Sequence, residues 1–141
     1  MNINVICIGK LKENHWSEAI KEYSKRLSKY CNMEIYELKE SKLPANSSEA
    51  DEENVKIEEG KAILKQIKTH DYVFTLEING NSMASTELAE KIDKLADSGQ
   101  NNIDFIIGGS LGISNEVSQR SDYKLSFSKM TFPHQMMRVI L

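Results

Sequence analysis

The chain has few cysteines and prolines and no long apolar run, and each shortage excludes a class of protein. Cys7 and Cys31 each lie within or beside an apolar stretch, which predicts reduced thiols rather than a disulfide framework. No apolar run approaches the roughly 20 residues that a membrane-spanning helix needs, and the first residues carry no basic signal region. We therefore expect a cytoplasmic protein that has no membrane partner.

Positive charge is not in excess either. The 141 residues carry 18 Lys and Arg against 21 Asp and Glu, so the formal net charge is -3 and no basic field covers the molecule. We expect no DNA partner, and any contact with RNA should be local. A length of 141 residues with 40% hydrophobic residues predicts one domain, residues 1–141, around one core.

Several common functional motifs are also missing. The chain contains neither the Walker pattern nor the G-x-G-x-x-G fingerprint, which disfavours nucleotide hydrolysis and dinucleotide binding. Its three histidines, His15, His70 and His134, are far apart and share no zinc-ligand spacing with the cysteines. We expect no metal.

Strand-like and helix-like segments alternate along the chain, which is typical of an α/β fold. The clearest helix carries Trp16, Ile20, Tyr23, Leu27 and Tyr30 at three- and four-residue spacing, and we expect it to pack on one sheet face. A polar, acidic segment, Ser41 to Glu53, is expected to be a mobile loop, and Ser85 or Thr86 is expected to cap a helix that ends near Gly99. The other predicted strands and helices are strands Ile3–Ile8, Met33–Leu38, Asp71–Ile78, Ile103–Ile107 and Tyr123–Phe127, and helices Val55–Lys68 and Ile113–Arg120.

Unusual loops follow the last two predicted strands. Gly108, Gly109 and Gly112 follow the fourth strand, where they form either a plain turn or a loop that lets a ligand approach the backbone. Because α/β sheets bind small molecules at the carboxyl ends of their strands, the second interpretation predicts a ligand site there.

The run after the fifth strand has two readings as well. Phe127, Met130 and Phe132 are spaced to wall an adenine-sized slot, whereas Thr131 and Pro133 also suit a helix start.

His134 and Arg138 stand four residues apart and share one face of the terminal helix, from which either can contact an RNA phosphate or base. The alternative for His134 is a helix-start or interface residue. An arginine among Met136, Met137 and Val139 is expected to be paired or functional.

Four blocks in chain order carry a resemblance to a known family: Ile6–Lys12, Leu76–Gly80, Ile107–Gly112 and Leu125–Arg138. On these blocks the whole chain closely resembles the RlmH family, small SPOUT-class methyltransferases that modify a pseudouridine of 23S ribosomal RNA.

The resemblance implies a mostly parallel sheet of five to six strands, helices on both faces, a C-terminal trefoil knot and a homodimer. It implies that S-adenosylmethionine binds, bent, among three loops, and that the product is N3-methylpseudouridine in 23S rRNA of the assembled ribosome. The implied cofactor residues are Leu76, Gly108, Phe127, Ser128, Lys129, Met130, Thr131 and Phe132, and the candidate substrate residues are His134 and Arg138. The proton acceptor is not identified.

Family members continue beyond the position of Leu141 into a tail with a Tyr-Arg-Ala segment and a closing Tyr-His pair. We hypothesise that the chain is a truncated or incompletely represented member that keeps most cofactor contacts. An intact mass near 16.0 kDa would exclude incomplete representation. Two other functions stay open at this point: a non-catalytic ribosome- or RNA-binding protein with the same fold, and an α/β module that binds a different nucleotide.

Overall fold

The computed structural model describes residues 1–141. Five strands and five helices alternate along them: β1 (Asn2–Ile8), α1 (Asn14–Leu27), β2 (Asn32–Leu38), α2 (Glu49–Gln66), β3 (Tyr72–Ser82), α3 (Ser85–Asp97), β4 (Asn102–Ile107), α4 (Asn115–Arg120), β5 (Tyr123–Ser126) and α5 (His134–Ile140). None of these helices combines the length and the hydropathy needed to cross a membrane.

The strands form one sheet in the order β2-β1-β4-β3-β5, and every neighbouring pair is parallel. Each strand needs a crossover connection to reach a parallel neighbour, and the helices supply these connections. The predicted α/β class and parallel sheet are confirmed, with five strands. The trefoil knot stays a prediction.

Apolar side chains alternate between the two faces of the central strands and are covered by helices on both sides. On one face Ile6, Ile8, Val73 and Ile106 pack with side chains of α2 and α4. The other face is covered by α5 and α3, and its buried residues are Val5, Cys7, Phe74, Ile103, Phe105, Ile107, Leu125 and Met137. Burial raises the pKa of the Cys7 thiol to about 11, so this cysteine stays protonated at neutral pH.

Helix α2 begins earlier than predicted. Residues Glu49 to Glu53 were expected to belong to a loop, but they form the first turn and a half of the helix. The Ser48 side chain accepts a hydrogen bond from the Asp51 amide at 3.2 Å, and the Asp51 carboxylate accepts one from the Ser48 amide at 2.8 Å. This reciprocal capping makes an acidic, loop-like sequence helical. The mobility of residues 41–48 remains a prediction.

Helix α3 is capped differently from the expectation. Neither Ser85 nor Thr86 is its cap, since the helix begins at Ser85 after Ala84. The Ala84 amide instead donates to the Glu87 carboxylate at 2.6 Å, which satisfies one of the unpaired first-turn amides. The helix ends at Asp97, before Gly99, as predicted.

Helix α1 covers the sheet only in part. It forms where the apolar spacing predicts it, but none of its residues is buried, and Tyr23 and Leu27 are 48% and 40% exposed. The helix packs beside α5 as well as against β2. The predicted contact with the sheet is present at β2, but much of the apolar face remains open in the single chain.

A fully buried carboxyl group lies on the central strand of the sheet. Asp104, on β4, accepts a hydrogen bond from the Asn4 amide nitrogen at 2.8 Å, while its Oδ2 atom has no partner. Burial raises the pKa of Asp104 to about 6, although the hydrogen bond from Asn4 opposes this and the neighbouring Asp71 carboxylate adds to it. Ionised Asp104 is thus unfavourable in the folded protein.

We expect Asp104→Asn to stabilise the protein at pH 8 and to have little effect at pH 4. Because the folded pKa is raised, the contribution of Asp104 to stability is present below its unfolded pKa and is lost as pH rises through about 6. The gain at pH 8 should be about 1 to 3 kcal/mol in the free energy of unfolding. Urea denaturation at pH 4, 6 and 8 measures it.

The exposed Asp93→Asn variant on α3 controls for the loss of one negative charge. The assignment of a buried carboxyl with a raised pKa would be contradicted if the gain in the free energy of unfolding of Asp104→Asn over the parent does not grow between pH 4 and pH 8.

Candidate functional site

A cleft with a volume of about 810 Å³ lies where the carboxyl ends of β3, β4 and β5 meet. Three chain segments line it: 76–79 within β3, 107–113 at the end of β4, and 127–134 after β5 except for Lys129, with Met137 of α5 beneath. The volume lies within the range of small-molecule and cofactor sites, and the position is where parallel sheets bind ligands.

The first segment is a bulge in β3. Leu76 and Asn81 both pair with Leu125 of β5, so the four intervening residues, 77–80, leave the ladder, and 77–79 enter the wall of the cleft. Gly80 makes this possible, because a Cβ atom there would stand 2.6 Å from the Lys124 carbonyl oxygen. The Ser126 hydroxyl donates to the Ile78 carbonyl at 2.9 Å and holds the bulge against β5. The predicted strand end at Asn79-Gly80 is wrong, since β3 continues to Ser82.

The second segment is the glycine loop after β4. A Cβ atom on Gly108 would stand 2.7 Å from the Gly112 carbonyl carbon, so only glycine allows the loop to close on itself. The Gly112 amide donates to the Gly109 carbonyl at 3.0 Å and fixes that closure. Beneath the loop, the buried Glu59 carboxylate and Ile8 lie against Gly109. Its three glycines therefore present backbone to the cleft, which Ser110 and Leu111 line beside them.

The third segment follows β5 and carries the aromatic residues. Phe127 and Phe132 line the cleft and are 39% and 36% exposed, and Met130 is 74% exposed. The Ser128 hydroxyl accepts a hydrogen bond from the Met130 amide at 3.0 Å and shapes the turn. Helix α5 begins at His134, directly after Pro133, so this segment lines the cleft and also leads into a helix.

Two titratable side chains face the cleft, Glu77 and His134. The Thr75 hydroxyl, which is fully buried, donates to the Glu77 carboxylate at 2.8 Å. Burial lowers the pKa of His134, and the positive charge of Arg138 lowers it further, while Glu40 opposes both. His134 is therefore a neutral imidazole at pH 7, able to accept a proton.

Arg138 does not line the cleft, because its side chain is turned into the protein. Its guanidinium pairs with Glu37 at 2.9 Å and donates to the carbonyl oxygens of Ile8 and Gly9 at 2.6 and 2.9 Å. Glu37 also accepts a hydrogen bond from the Leu11 amide at 2.8 Å. These bonds tie α5 to the ends of β1 and β2, which leaves Arg138 no exposed donor for RNA.

The structure brings most of the sequence-predicted site residues together. Those that line the cleft are Leu76, Gly108, Phe127, Ser128, Met130, Thr131, Phe132 and His134. Lys129 lies outside it, exposed to solvent. The contacts of these residues with a ligand remain predictions.

The sequence pattern did not predict that residues of the bulge, Glu77 above all, belong to the cleft. Asn79-Gly80 was the signal that could have found them, since a glycine inside a strand pattern often marks a bulge. No group of three or more His, Cys, Asp or Glu side chains is placed to hold a metal ion.

Fold and site together define a class: a parallel α/β domain with a nucleotide-sized cleft that has one backbone wall and one aromatic wall. The model of the family described as "Predicted SPOUT methyltransferase" matches residues 1–141. The chain belongs to the SPOUT methyltransferase family.

Curated relatives are similar over all 141 residues and 89% of their own length. A protein of Clostridium novyi (strain NT) named ribosomal RNA large subunit methyltransferase H is 57% identical. The protein of Clostridium perfringens (strain SM101 / Type A) named ribosomal RNA large subunit methyltransferase H 1 is 52% identical. In Lactiplantibacillus plantarum (strain ATCC BAA-793 / NCIMB 8826 / WCFS1), a ribosomal RNA large subunit methyltransferase H is 50% identical.

Proposed function

We propose that this protein methylates N3 of a pseudouridine in 23S rRNA, with S-adenosylmethionine as the methyl donor. The observation that carries the proposal is the cleft at the carboxyl ends of β3, β4 and β5, lined by three separate segments that all lie in blocks shared with the RlmH family. Identity of 57% to a protein named for rRNA methylation supports the same reaction class.

The residues of the cleft suit S-adenosylmethionine. Phe127 and Phe132 offer apolar faces for an adenine, and the glycine loop offers backbone donors and acceptors without a Cβ in the way. We assign cofactor binding to Leu76, Gly108, Phe127, Ser128, Met130, Thr131 and Phe132, with Lys129 at the rim. The partial exposure of both phenylalanines is the open surface that a bound adenosine would cover.

When bound, the cofactor supplies a sulfonium whose methyl group is already activated for transfer. The protein's task is then to orient the uracil ring and to accept the N3 proton, and positioning alone can contribute roughly 7 to 11 kcal/mol. His134 lines the cleft as a neutral imidazole, so we assign it the substrate contact and the role of proton acceptor. Arg138 acts at a distance, because it anchors the helix that carries His134.

The net charge of -3 restricts how the RNA is bound. Lys10, Lys12 and Lys129 are exposed near the cleft's side of the sheet, whereas Arg138 is buried and contributes no phosphate contact. So few cations predict weak binding to naked RNA. We therefore propose that the substrate is the rRNA within the assembled ribosome and that the protein works in the cytoplasm.

Methyl transfer from labelled S-adenosylmethionine to ribosomes that lack the modification tests this function, with the modified nucleotide located by mass spectrometry. We expect label in 23S rRNA of ribosomes and little in a protein-free stem-loop. His134→Asn should lower the rate at saturating cofactor by about 10²- to 10⁴-fold while cofactor affinity is kept. Ribosome association without methyl transfer would instead indicate a non-catalytic binding protein.

We also propose a homodimer, built on the open apolar face of α1 together with α5. Tyr23, Leu27 and Ile140 are exposed there, and the two helices lie side by side. Family resemblance adds the trefoil knot to this proposal. Sedimentation equilibrium is expected to give twice the mass of 16.0 kDa, and a monomer at micromolar concentration would contradict the dimer.

A further inference from the structure

We propose that Glu77 makes the cleft selective for positive charge, so that it binds the cationic sulfonium cofactor more tightly than the neutral thioether product. This inference rests on the proposed function and assigns to Glu77 a specificity role within that site. Glu77 is the only acidic side chain that lines the cleft. It lies in the β3 bulge, next to Leu76.

The carboxylate is held in place rather than free. The buried Thr75 hydroxyl donates to Glu77 Oε2 at 2.8 Å and itself lies 2.9 Å from the Ser121 hydroxyl. The bulge that carries Glu77 is clamped by the Ser126 hydroxyl on Ile78 and by the close approach of Gly80 to β5. The bulge interrupts the ladder between β3 and β5, and these three contacts hold it in place. They therefore fix the position of the Glu77 carboxylate.

No positively charged side chain lines the cleft to neutralise Glu77. His134, across the cleft, is neutral at pH 7 because its pKa is lowered. The cations nearest in sequence to the lining segments, Lys129 and Arg138, lie outside the cleft, and Arg138 is already paired with Glu37. Lys124 of β5 is exposed and contributes its backbone, not its side chain, to the contact with Gly80. The cleft therefore has a negative wall and no lining cation.

This charge pattern distinguishes the two forms of the cofactor. Substrate and product share the adenosine and the amino-acid group, and they differ by the methyl group and by the single positive charge on sulfur. A carboxylate within several ångströms interacts appreciably with such a charge in a partly desolvated cleft and gains nothing from a neutral sulfur. The consequence is faster product release and weaker product inhibition.

Calorimetric titration of the full chain with S-adenosylmethionine and with S-adenosylhomocysteine tests the inference. We expect the parent protein to bind the cationic ligand more tightly, and Glu77→Gln to reduce the affinity ratio by about tenfold through the cationic ligand alone. An analogue with a protonated amine in place of the sulfonium should follow S-adenosylmethionine. Glu90→Gln, on the exposed face of α3, is the matched control and should keep the parent ratio.

Any of three results overturns the inference. An unchanged ratio in Glu77→Gln, or an equal loss for both ligands, means that Glu77 only supports the cleft. If the parent binds neither ligand, the proposed function fails and this inference with it. If circular dichroism shows that Glu77→Gln does not fold, Thr75→Val replaces it, because this change frees the carboxylate without removing it. A ratio of the two affinities that falls by about threefold supports the inference, and an unchanged ratio overturns it.

Discussion

Gly108→Ala is expected to lower the affinity for S-adenosylmethionine at least a hundredfold. The added Cβ would stand 2.7 Å from the Gly112 carbonyl carbon and 2.8 Å from its oxygen, and both are backbone atoms that cannot rotate away. The loop must open, which displaces the wall that faces the cofactor. Overpacking of this kind is only partly relieved by relaxation. Calorimetric titration measures the loss, and Gly108→Val should abolish binding.

Gly109→Ala provides a graded comparison within the same loop. Its Cβ would meet the Glu59 carboxylate at 3.0 Å and Ile8 at 3.3 Å, which are side chains that can shift by a few tenths of an ångström. We therefore expect a smaller loss of affinity than for Gly108→Ala, with both variants folded by circular dichroism. If Gly109→Ala loses as much affinity for S-adenosylmethionine as Gly108→Ala, or more, the close contact with Gly112 does not determine the shape of the cofactor wall.

Arg138→Met is expected to lower the free energy of unfolding by about 3 kcal/mol. The change removes the ion pair with Glu37 and leaves the carbonyl oxygens of Ile8 and Gly9 without their donors. Breaking a buried pair on one side typically costs about 3 to 5 kcal/mol, and the one-third exposure of Glu37 reduces that penalty through solvation. Urea denaturation at pH 7 measures the change.

A double variant separates the causes. Arg138→Met with Glu37→Gln removes the stranded carboxylate, so part of the lost stability should return. Arg138→Lys keeps the charge but loses the forked geometry, and its stability should fall between those of the parent and Arg138→Met. If Arg138→Met and Arg138→Lys both unfold like the parent and only methyl transfer to ribosomes declines, Arg138 is a substrate contact, as the sequence suggested, and not an anchor.

The two interpretations of Arg138 illustrate what a sequence can and cannot predict. Its position four residues after His134 was visible, and so was the need for a partner in apolar surroundings. The partner itself, Glu37, is 101 residues away along the chain, and nothing local points to it. Helix α1 shows the converse: its apolar stripe predicted the helix correctly, but the surface that the stripe faces is not encoded in its spacing.

Local sequence patterns also gave a wrong secondary-structure prediction in two places. The acidic composition of residues 49–53 predicted a loop, because helix propensity alone is weak evidence. In the structure, the capping box of Ser48 and Asp51 begins the helix there. The Asn79-Gly80 pair read as the end of a strand, whereas β5 continues the ladder beyond it and turns the pair into a bulge. In both cases a contact with another residue, and not the residue's own preference, decided the outcome.

Residue order alone predicts the alternation of strands and helices, the parallel α/β class and the carboxyl-end loops that form the cleft. These follow from hydrophobic periodicity and from glycine placement, which are local properties. The packed chain was needed to show that Glu77 lines the cleft, that His134 is neutral, that Arg138 is buried and that one oxygen of the buried Asp104 has no partner. Burial and charge at a residue depend on atoms distant in the chain, so they exist only once the chain has packed.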